Sequence, residues 1–166
     1  EFWSSRAIYV PATQRYEILH VTSVDEDYSD VPNDTFTNAS AQKALQIATR
    51  TAQLLGETAD PQWSRVAAGL LLPYDDKAGH HLDFDASVPH DINSWGGSSL
   101  PMLSNPSLDL PMDVQTRRRD YAYAIAPITQ SSRDPNSMGL MPLSIAAATA
   151  GDSEAASDWF QRNITA

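Results

Sequence analysis

Residues 39–56, ASAQKALQIATRTAQLLG, decide the fold class because alanine and leucine recur in them at helical spacing. These positions share one face of a helix, and Gly56 supplies a stop at its carboxyl end. They are Ala41, Ala44, Leu45, Ala48, Ala52 and Leu55. Further along, Asp60-Pro61 predicts an N-cap followed by proline at the first helical position. We expect that second helix to end before Pro73.

The flanking segments also favour helices. On the amino-terminal side we predict the end of a helix at 1–8, a short strand at 16–21 and an acidic loop at 23–35. On the other side an irregular segment, 73–107, is followed by three predicted helices. They are residues 112–126, residues 137–150 and a last helix capped by Asp152. Helices joined alternately by short and long loops are typical of a layered, mainly α helical barrel, whose long loops form the site.

Composition excludes several classes of function. The chain has 166 residues, 42% of them hydrophobic, which is enough for a packed core. Its net charge of −10 argues against nucleic acid and disfavours anionic membrane surfaces, whereas a neutral sugar is compatible with it. No apolar run reaches the length of a membrane span. There is no cysteine, so neither a disulfide nor a cysteine-based metal site is expected.

Four carboxylates cluster in the acidic loop between the predicted strand and helix. They are Asp25, Glu26, Asp27 and Asp30. A carboxylate that lies partly buried among others has a raised pKa, so it can hold a proton near neutral pH and deliver it to a leaving oxygen. Composition alone favours the alternative, an exposed acidic turn or a calcium-type loop.

The run His80-His81-Leu-Asp-Phe-Asp85 contains residue types that bind metals. Adjacent side chains of an extended chain point to opposite faces, which weakens that interpretation. We therefore predict no metal and no cofactor, and expect His81 to face a substrate while a partner satisfies its ring.

Tryptophans and arginines give two further expectations. Trp63 and Trp159 occur at core spacing on predicted helices, so Trp95, in the long irregular segment, is the better candidate for a platform under a sugar ring. The run Arg117-Arg118-Arg119 fans out around a helix, and we expect surface ion pairs with nearby acids rather than a phosphate site.

The acidic loop also carries a family resemblance. Ser23-Val24-Asp25-Glu26, followed by Val31, Asn33 and Phe36-Thr37-Asn38-Ala39, resembles the signature of glycoside hydrolase family 65, in which Pro-Asp-Glu-Tyr-His leads to Asn and then Tyr-Thr-Asn. The flanks resemble other motifs of the family. They are Phe2-Trp3-Ser-Ser-Arg6, Trp63 with Val66-Ala67, Leu72-Pro73-Tyr74-Asp75, and His81-Leu-Asp-Phe84-Asp85.

The resemblance implies a fold and a set of roles. The family includes acid trehalases, a glucosidase acting on glucosylgalactosyl-hydroxylysine, and disaccharide phosphorylases, and its catalytic domain is an (α/α)6 barrel. Residues 1–166 are then one fragment, the later part, of such a domain. By resemblance Glu26 is the proton donor to the glycosidic oxygen. Asp25, Asn38 and His81 match family positions near the sugar.

Three departures from the family pattern bear on the site. Asp27 and Tyr28 stand where the family has tyrosine and histidine after its acid. The family's Lys-Gln-Ala-Asp motif falls at residues 96–99, where the lysine and glutamine are absent. The base of an inverting hydrolase, a second carboxyl group about 6.5–9.5 Å from the acid, is expected beyond Ala166. Glu154 is the only late glutamate, and its place early in a helix suits the helix dipole.

The sequence thus favours an inverting, trehalase-like α-glucosidase that acts together with the remaining segments of its barrel. Two alternatives stay open, a disaccharide phosphorylase and a sugar-binding relative without activity. Three N-glycosylation sequons begin at Asn33, Asn38 and Asn163. They suggest a secreted or vacuolar, lysosome-like location and, if they are used, a glycoprotein.

Overall fold

The computed structural model describes residues 1–24, 26–91, 97–131, 135 and 137–165. Within them the chain is mainly helical, and its short strands form two separate antiparallel pairs. The helices are α1 (Phe2–Arg6), α2 (Thr35–Leu54), α3 (Pro61–Gly69), a 3-10 helix (Leu100–Ser104), α4 (Val114–Ser131), α5 (Ser137–Ala150) and α6 (Ser153–Thr165). The strands are β1 (Ile8–Val10), β2 (Arg15–Glu17), β3 (Tyr74–Asp75) and β4 (His80–His81).

Helices α2 and α3 form where their spacing predicts them. The Asp34 carboxylate accepts the amide of Thr37 at 2.7 Å and caps α2. Asp60 caps α3 in the same way, accepting the amide of Gln62 at 2.8 Å. The two helices pack against β2 through one apolar cluster. Its buried members are Ile18, Ala41, Leu45, Val66, Ala67 and Leu70.

Helices α4, α5 and α6 pack closely because α5 presents small side chains. Ala146, Ala147 and Ala150 are buried in the cluster that these helices share. The Trp159 indole N–H donates to the Tyr121 hydroxyl at 2.8 Å, so α6 is also tied to α4 by a buried hydrogen bond. The core position predicted for Trp159 is confirmed.

The irregular segment contains more structure than its sequence predicts. β3 and β4 pair as a hairpin, with Tyr74 opposite His81. Its turn ends at Gly79, which has φ of +76° and lies under the Arg119 guanidinium. A Cβ at that position would meet the Arg119 guanidinium, and the left-handed φ disfavours any side chain, so a substitution of Gly79 would be strained. Further along, the 3-10 helix buries Leu100 and Leu103 beside α2.

In the arginine run on α4, Arg117 and Arg118 donate hydrogen bonds to backbone carbonyls, contrary to our expectation of ion pairs with acids. Arg117 donates to the carbonyls of Leu110 and Met112, at 3.1 and 3.3 Å. Arg118 Nε donates to the Ala150 carbonyl at 2.8 Å and so satisfies the carboxyl end of α5. The Ala150 carbonyl ends α5, where the last carbonyls of a helix lack backbone partners, which explains the contact with Arg118.

A search of the described helices for a bilayer-spanning candidate, both long and apolar enough, finds none.

Candidate active site

Glu26 lies at the tip of a short, closed loop. Val21 and Val31 pair through two backbone hydrogen bonds, of 3.0 and 2.9 Å, and close the base of the loop. Nearer the tip, the Ser23 amide donates to the Tyr28 carbonyl at 2.8 Å, and the Glu26 amide donates to the Ser23 carbonyl at 3.0 Å. The Glu26 side chain is exposed. These backbone hydrogen bonds close the loop, and the Glu26 side chain lies on its exposed side.

The loop is held in a costly backbone conformation. Of the described residues between positions 20 and 33, four that are not glycine have positive φ, namely His20 (59°), Glu26 (62°), Asp30 (63°) and Asn33 (55°). Each left-handed residue of this kind costs on the order of 1 kcal/mol or more and persists only where surrounding contacts fix it. The ring of His20 pairs with the Asp30 carboxylate, Nδ1 to Oδ1 at 2.5 Å, on the surface. Such clusters of backbone strain are typical of functional loops.

The base of the loop is a buried polar network. Asn33 and Asn38 are fully buried. Asn33 Oδ1 accepts the Ile18 amide at 3.1 Å and Asn38 Nδ2 at 3.3 Å. Asn38 Nδ2 also donates to the Leu71 carbonyl at 2.8 Å. In this structure Asn38 therefore positions the loop and α3, and its side chain does not reach a surface where a sugar could bind.

Asp34 is a buried acid at the start of α2. Burial raises the pKa of Asp34 above its usual range, while hydrogen bonds with Thr37 and Ser23 offset part of that effect. Asp34, at the base of the loop, is not one of the four acids among which the sequence predicts a raised pKa. Glu26 lies at the exposed tip, where this chain does not bury it.

His81 is nearly buried and fixed from two sides. Asp120 on α4 accepts the His81 amide at 2.8 Å through Oδ1 and the ring Nδ1 at 2.9 Å through Oδ2. The Tyr74 ring packs edge-on against it, with centroids 5.0 Å apart. The partner that we expected for the His81 ring is therefore Asp120. A hydrogen at Nδ1 leaves Nε2 as the ring atom that can bond a further group.

A second acid–histidine pair lies beside the loop. Asp83 is 3% exposed, and its Oδ1 accepts the amide and hydroxyl of Ser99, at 2.6 and 2.8 Å. Its Oδ2 lies 3.3 Å from His90 Nδ1. Burial raises the pKa of Asp83, and the nearby His90 opposes that shift.

Tyr28 connects this pair to the acidic loop. Its ring packs against Phe84 and His90, with centroids 5.0 and 5.1 Å away. Its hydroxyl accepts the Asp91 amide at 2.6 Å. At the base of the loop, the Thr35 amide also donates to the Asp83 carbonyl at 2.8 Å. The acidic loop and the segment 81–91 therefore form one bonded unit.

Two of the predicted site residues, Asp25 and Trp95, lie outside the described residues. Among those described, no group of three or more acids and histidines is arranged to hold a metal ion. Sequence reasoning missed Asp83, Asp120 and the role of Tyr28. Asp120 occurs on a helix with ordinary spacing, so only the fold reveals its contact with His81 across 39 positions.

Similar proteins define the class. No family model matches the chain. It is 36% identical over 120 residues to the protein-glucosylgalactosylhydroxylysine glucosidase of Danio rerio, a match covering 72% of this chain and 18% of the relative. It is 38% identical over 116 residues to a kojibiose hydrolase of Mucilaginibacter mallensis, covering 70% of this chain and 16% of the relative. A shorter match, 32% identical over 73 residues, is to the periplasmic acid trehalase of Saccharomyces cerevisiae and covers 44% of this chain and 6% of that protein.

A solved structure agrees with these matches. A putative kojibiose phosphorylase from the human microbiome superposes with a TM-score of 0.69 at 16% identity, over 96% of this chain and 27% of that one. The chain belongs to glycoside hydrolase family 65. The predicted fold class, a mainly α part of an (α/α)6 barrel, is confirmed. The chain spans less than a fifth of the length of the curated relatives named above.

Proposed function

We propose that this chain is part of an inverting α-glucoside hydrolase in which Glu26 is the general acid. Glu26 gives its proton to the glycosidic oxygen as the bond from that oxygen to the anomeric carbon breaks. A water molecule attacks the anomeric carbon from the opposite face and loses its proton to a carboxylate base outside this chain. The products are a free alcohol and a sugar of inverted anomeric configuration.

The observation that carries this proposal is the position of Glu26. It is an outward-facing carboxylate on a closed loop, held in a left-handed conformation that neighbouring contacts fix. A loop whose backbone is held lowers the entropic cost of orienting the proton donor that it carries. Because Glu26 is exposed here, the bound substrate and the rest of the barrel must enclose it during the reaction.

Other residues have supporting roles in this proposal. His81 is fixed by Asp120 through Nδ1, which suits Nε2 for a hydrogen bond to a sugar hydroxyl. Asp25 follows from the family motif and Trp95 from its place in the long segment, and both remain proposed sugar contacts. Asn38 acts through the backbone it supports rather than by touching the substrate.

We also propose that residues 1–166 are a fragment of a longer barrel domain. Support comes from large apolar side chains that the chain leaves on its surface, among them Leu54 and Leu55, which are 77% and 72% exposed. Remaining segments of the same barrel would cover such residues. In the full-length protein, Leu54→Glu should therefore destabilise the fold more than Arg50→Glu on the same helix. Equal effects would contradict this arrangement.

The location proposed for the full-length protein is outside the cytosol. The matched yeast trehalase is named as periplasmic, which agrees with secretion. Asn33 and Asn38 are fully buried, so two of the three sequons cannot carry a glycan in this fold. Asn163, half-buried near the end of α6, is the remaining acceptor.

The proposal is tested by following the anomeric products of the full-length protein. Candidate substrates are kojibiose, trehalose and a glucosylgalactoside. With the glucosylgalactoside, which releases a single glucose, proton NMR in phosphate-free buffer should show β-glucose first, followed by mutarotation, and added phosphate should not change the rate. With trehalose, whose leaving glucose departs as the α-anomer, inversion should give equal initial amounts of α- and β-glucose. Release of α-glucose from the glucosylgalactoside, or of α-glucose alone from trehalose, would refute inversion. Cleavage that requires phosphate and yields glucose 1-phosphate would establish the alternative, a disaccharide phosphorylase, which the structural neighbour's name favours. Binding of a glucoside without turnover would favour the inactive, sugar-binding alternative.

A further inference from the structure

We propose that Tyr28 is a positioning residue that holds the general acid loop against the Asp83–His90 pair. The inference rests on the proposed role of Glu26. It concerns a position at which this chain departs from the family pattern, in which histidine occupies the place of Tyr28.

The first step of the argument is the closeness of Tyr28 to the acid. Its carbonyl accepts the Ser23 amide at 2.8 Å, and this bond closes the tip of the loop around Glu26. The Ser23 carbonyl in turn accepts the Glu26 amide at 3.0 Å. Because two backbone hydrogen bonds connect Tyr28 to Glu26 through Ser23, a displacement of Tyr28 should also displace Glu26.

The second step is the rigidity of what Tyr28 contacts. Its ring is one of three that pack together, since Phe84 and His90 also contact each other with centroids 4.9 Å apart. The His90 ring lies 3.3 Å from a carboxylate of Asp83 that is almost fully buried. Two hydrogen bonds from Ser99 hold that carboxylate in place. The Tyr28 ring is therefore held against a fixed part of the structure.

The third step is the need for such support. The tip of the loop is exposed, and the Glu26 backbone has φ of +62°. A non-glycine residue tends to leave that conformation unless its surroundings hold it. The Asp91 amide, which donates to the Tyr28 hydroxyl at 2.6 Å, fixes the outer end of the ring. Tyr28 thus connects a strained acidic tip to a buried base in which Ser99 holds the Asp83 carboxylate.

The experiment compares two substrates in the full-length protein. An ordinary α-glucoside needs a proton on its leaving oxygen, whereas α-glucosyl fluoride releases a weakly basic ion that needs none. A misplacement of about 1 Å can cost about a hundredfold in rate. Tyr28→Ala should therefore lower kcat on the glucoside by about a hundredfold, with KM little changed, yet lower kcat on the fluoride by less than about threefold. Tyr28→Phe, which keeps the ring, should restore glucoside turnover to within about fivefold of wild type.

Controls separate this inference from the proposed function. Tyr9→Ala removes a half-exposed tyrosine on β1 whose ring packs against Tyr16, the residue opposite it on β2. This variant should leave the preference between the two substrates unchanged. Glu26→Gln should itself lose far more activity on the glucoside than on the fluoride. If it does not, the role of Glu26 fails, whatever the Tyr28 variants do.

The positioning role of Tyr28 is refuted if Glu26→Gln behaves as expected but Tyr28→Ala lowers kcat by the same factor on both substrates. It is also refuted if Tyr28→Ala lowers kcat on neither substrate. Thermal unfolding shows whether Tyr28→Ala is folded. If it is not, Tyr28→Leu, which keeps apolar volume, carries the same prediction and the same refuting outcomes.

Discussion

Removal of the Asp120 carboxylate should release the segment that carries His81. Asp120 accepts two hydrogen bonds from His81, one from the amide at 2.8 Å and one from the ring at 2.9 Å. A hydrogen bond to a charged group contributes about 1.5–3 kcal/mol, so the two sum to about 3–6 kcal/mol. Relief from burying the carboxylate offsets part of this sum. We expect Asp120→Ala to lower the local opening free energy by about 3 kcal/mol, roughly a hundredfold in the opening equilibrium.

Hydrogen exchange measured by mass spectrometry on the full-length protein gives this local quantity directly. The peptide that contains the His81 amide should exchange roughly a hundredfold faster in Asp120→Ala. Asp120→Asn keeps an oxygen for the amide but loses the charged bond to the ring, so exchange should rise by only about tenfold. Asp76→Ala, at an exposed position in the same hairpin, is the control. Equal protection of the His81 amide in Asp120→Ala and Asp120→Asn would refute the reasoning.

Three further predictions concern stability and modification. Burial raises the pKa of Asp34, so the folded state binds the proton of this group more tightly than the unfolded state does. The free energy that the group contributes to folding is therefore fully present below pH 3.8, and it is lost as the pH rises through the raised pKa. Asp34→Asn should therefore unfold at an equal or higher urea concentration than the wild type at pH 7. Asp34→Ala, which removes the cap of α2, should lower the free energy of unfolding by about 1 kcal/mol. An Asp34→Asn variant less stable than the wild type would contradict this reasoning. Arg118→Ala should cost about 1 kcal/mol, read by urea unfolding, because the Ala150 carbonyl loses its 2.8 Å donor. In Asn163→Gln, treatment with a glycosidase that releases N-glycans should no longer change the mass of any peptide from this chain. A glycan that persists in this variant would show that a buried sequon is used.

The long helices could be predicted from sequence because their causes are local. The alanine and leucine spacing in 39–56 and the caps Asp34 and Asp60 act within one or two turns. The structure places α2 at Thr35–Leu54 and α5 at Ser137–Ala150, close to the expected limits. On α6 the neighbouring aromatic residues differ, because Trp159 is buried whereas Phe160 is 43% exposed.

The strands were harder to predict because their partners decide them. We expected one strand at 16–21, but the structure has β2 at Arg15–Glu17, paired with β1 at Ile8–Val10. The helix end predicted at 1–8 is present as α1 (Phe2–Arg6), and β1 begins shortly after it. Short strands of this kind form where a partner satisfies their backbone groups, and one sequence does not reveal that partner.

The site divides in the same way. The acidic loop and the run that contains His81 can be recognised as motifs, because the residues that make up each motif are neighbours in the sequence. Their supports are distant: Tyr28 bonds Asp91 across 63 positions, and His81 bonds Asp120 across 39. Only the fold brings such residues together. The sequence therefore suggests which residues do chemistry, and the structure shows which residues hold them.

Glu26→Gln in the full-length protein tests the central claim most directly. The amide keeps the size of the side chain but cannot give up a proton. We expect kcat on an α-glucoside with an ordinary sugar leaving group to fall by about a hundredfold or more, since general acid catalysis contributes about 10²–10⁴-fold. Turnover of α-glucosyl fluoride should change by less than about tenfold, because fluoride leaves without that proton. Unchanged turnover of the glucoside would contradict the account, since Glu26 would then not be the acid.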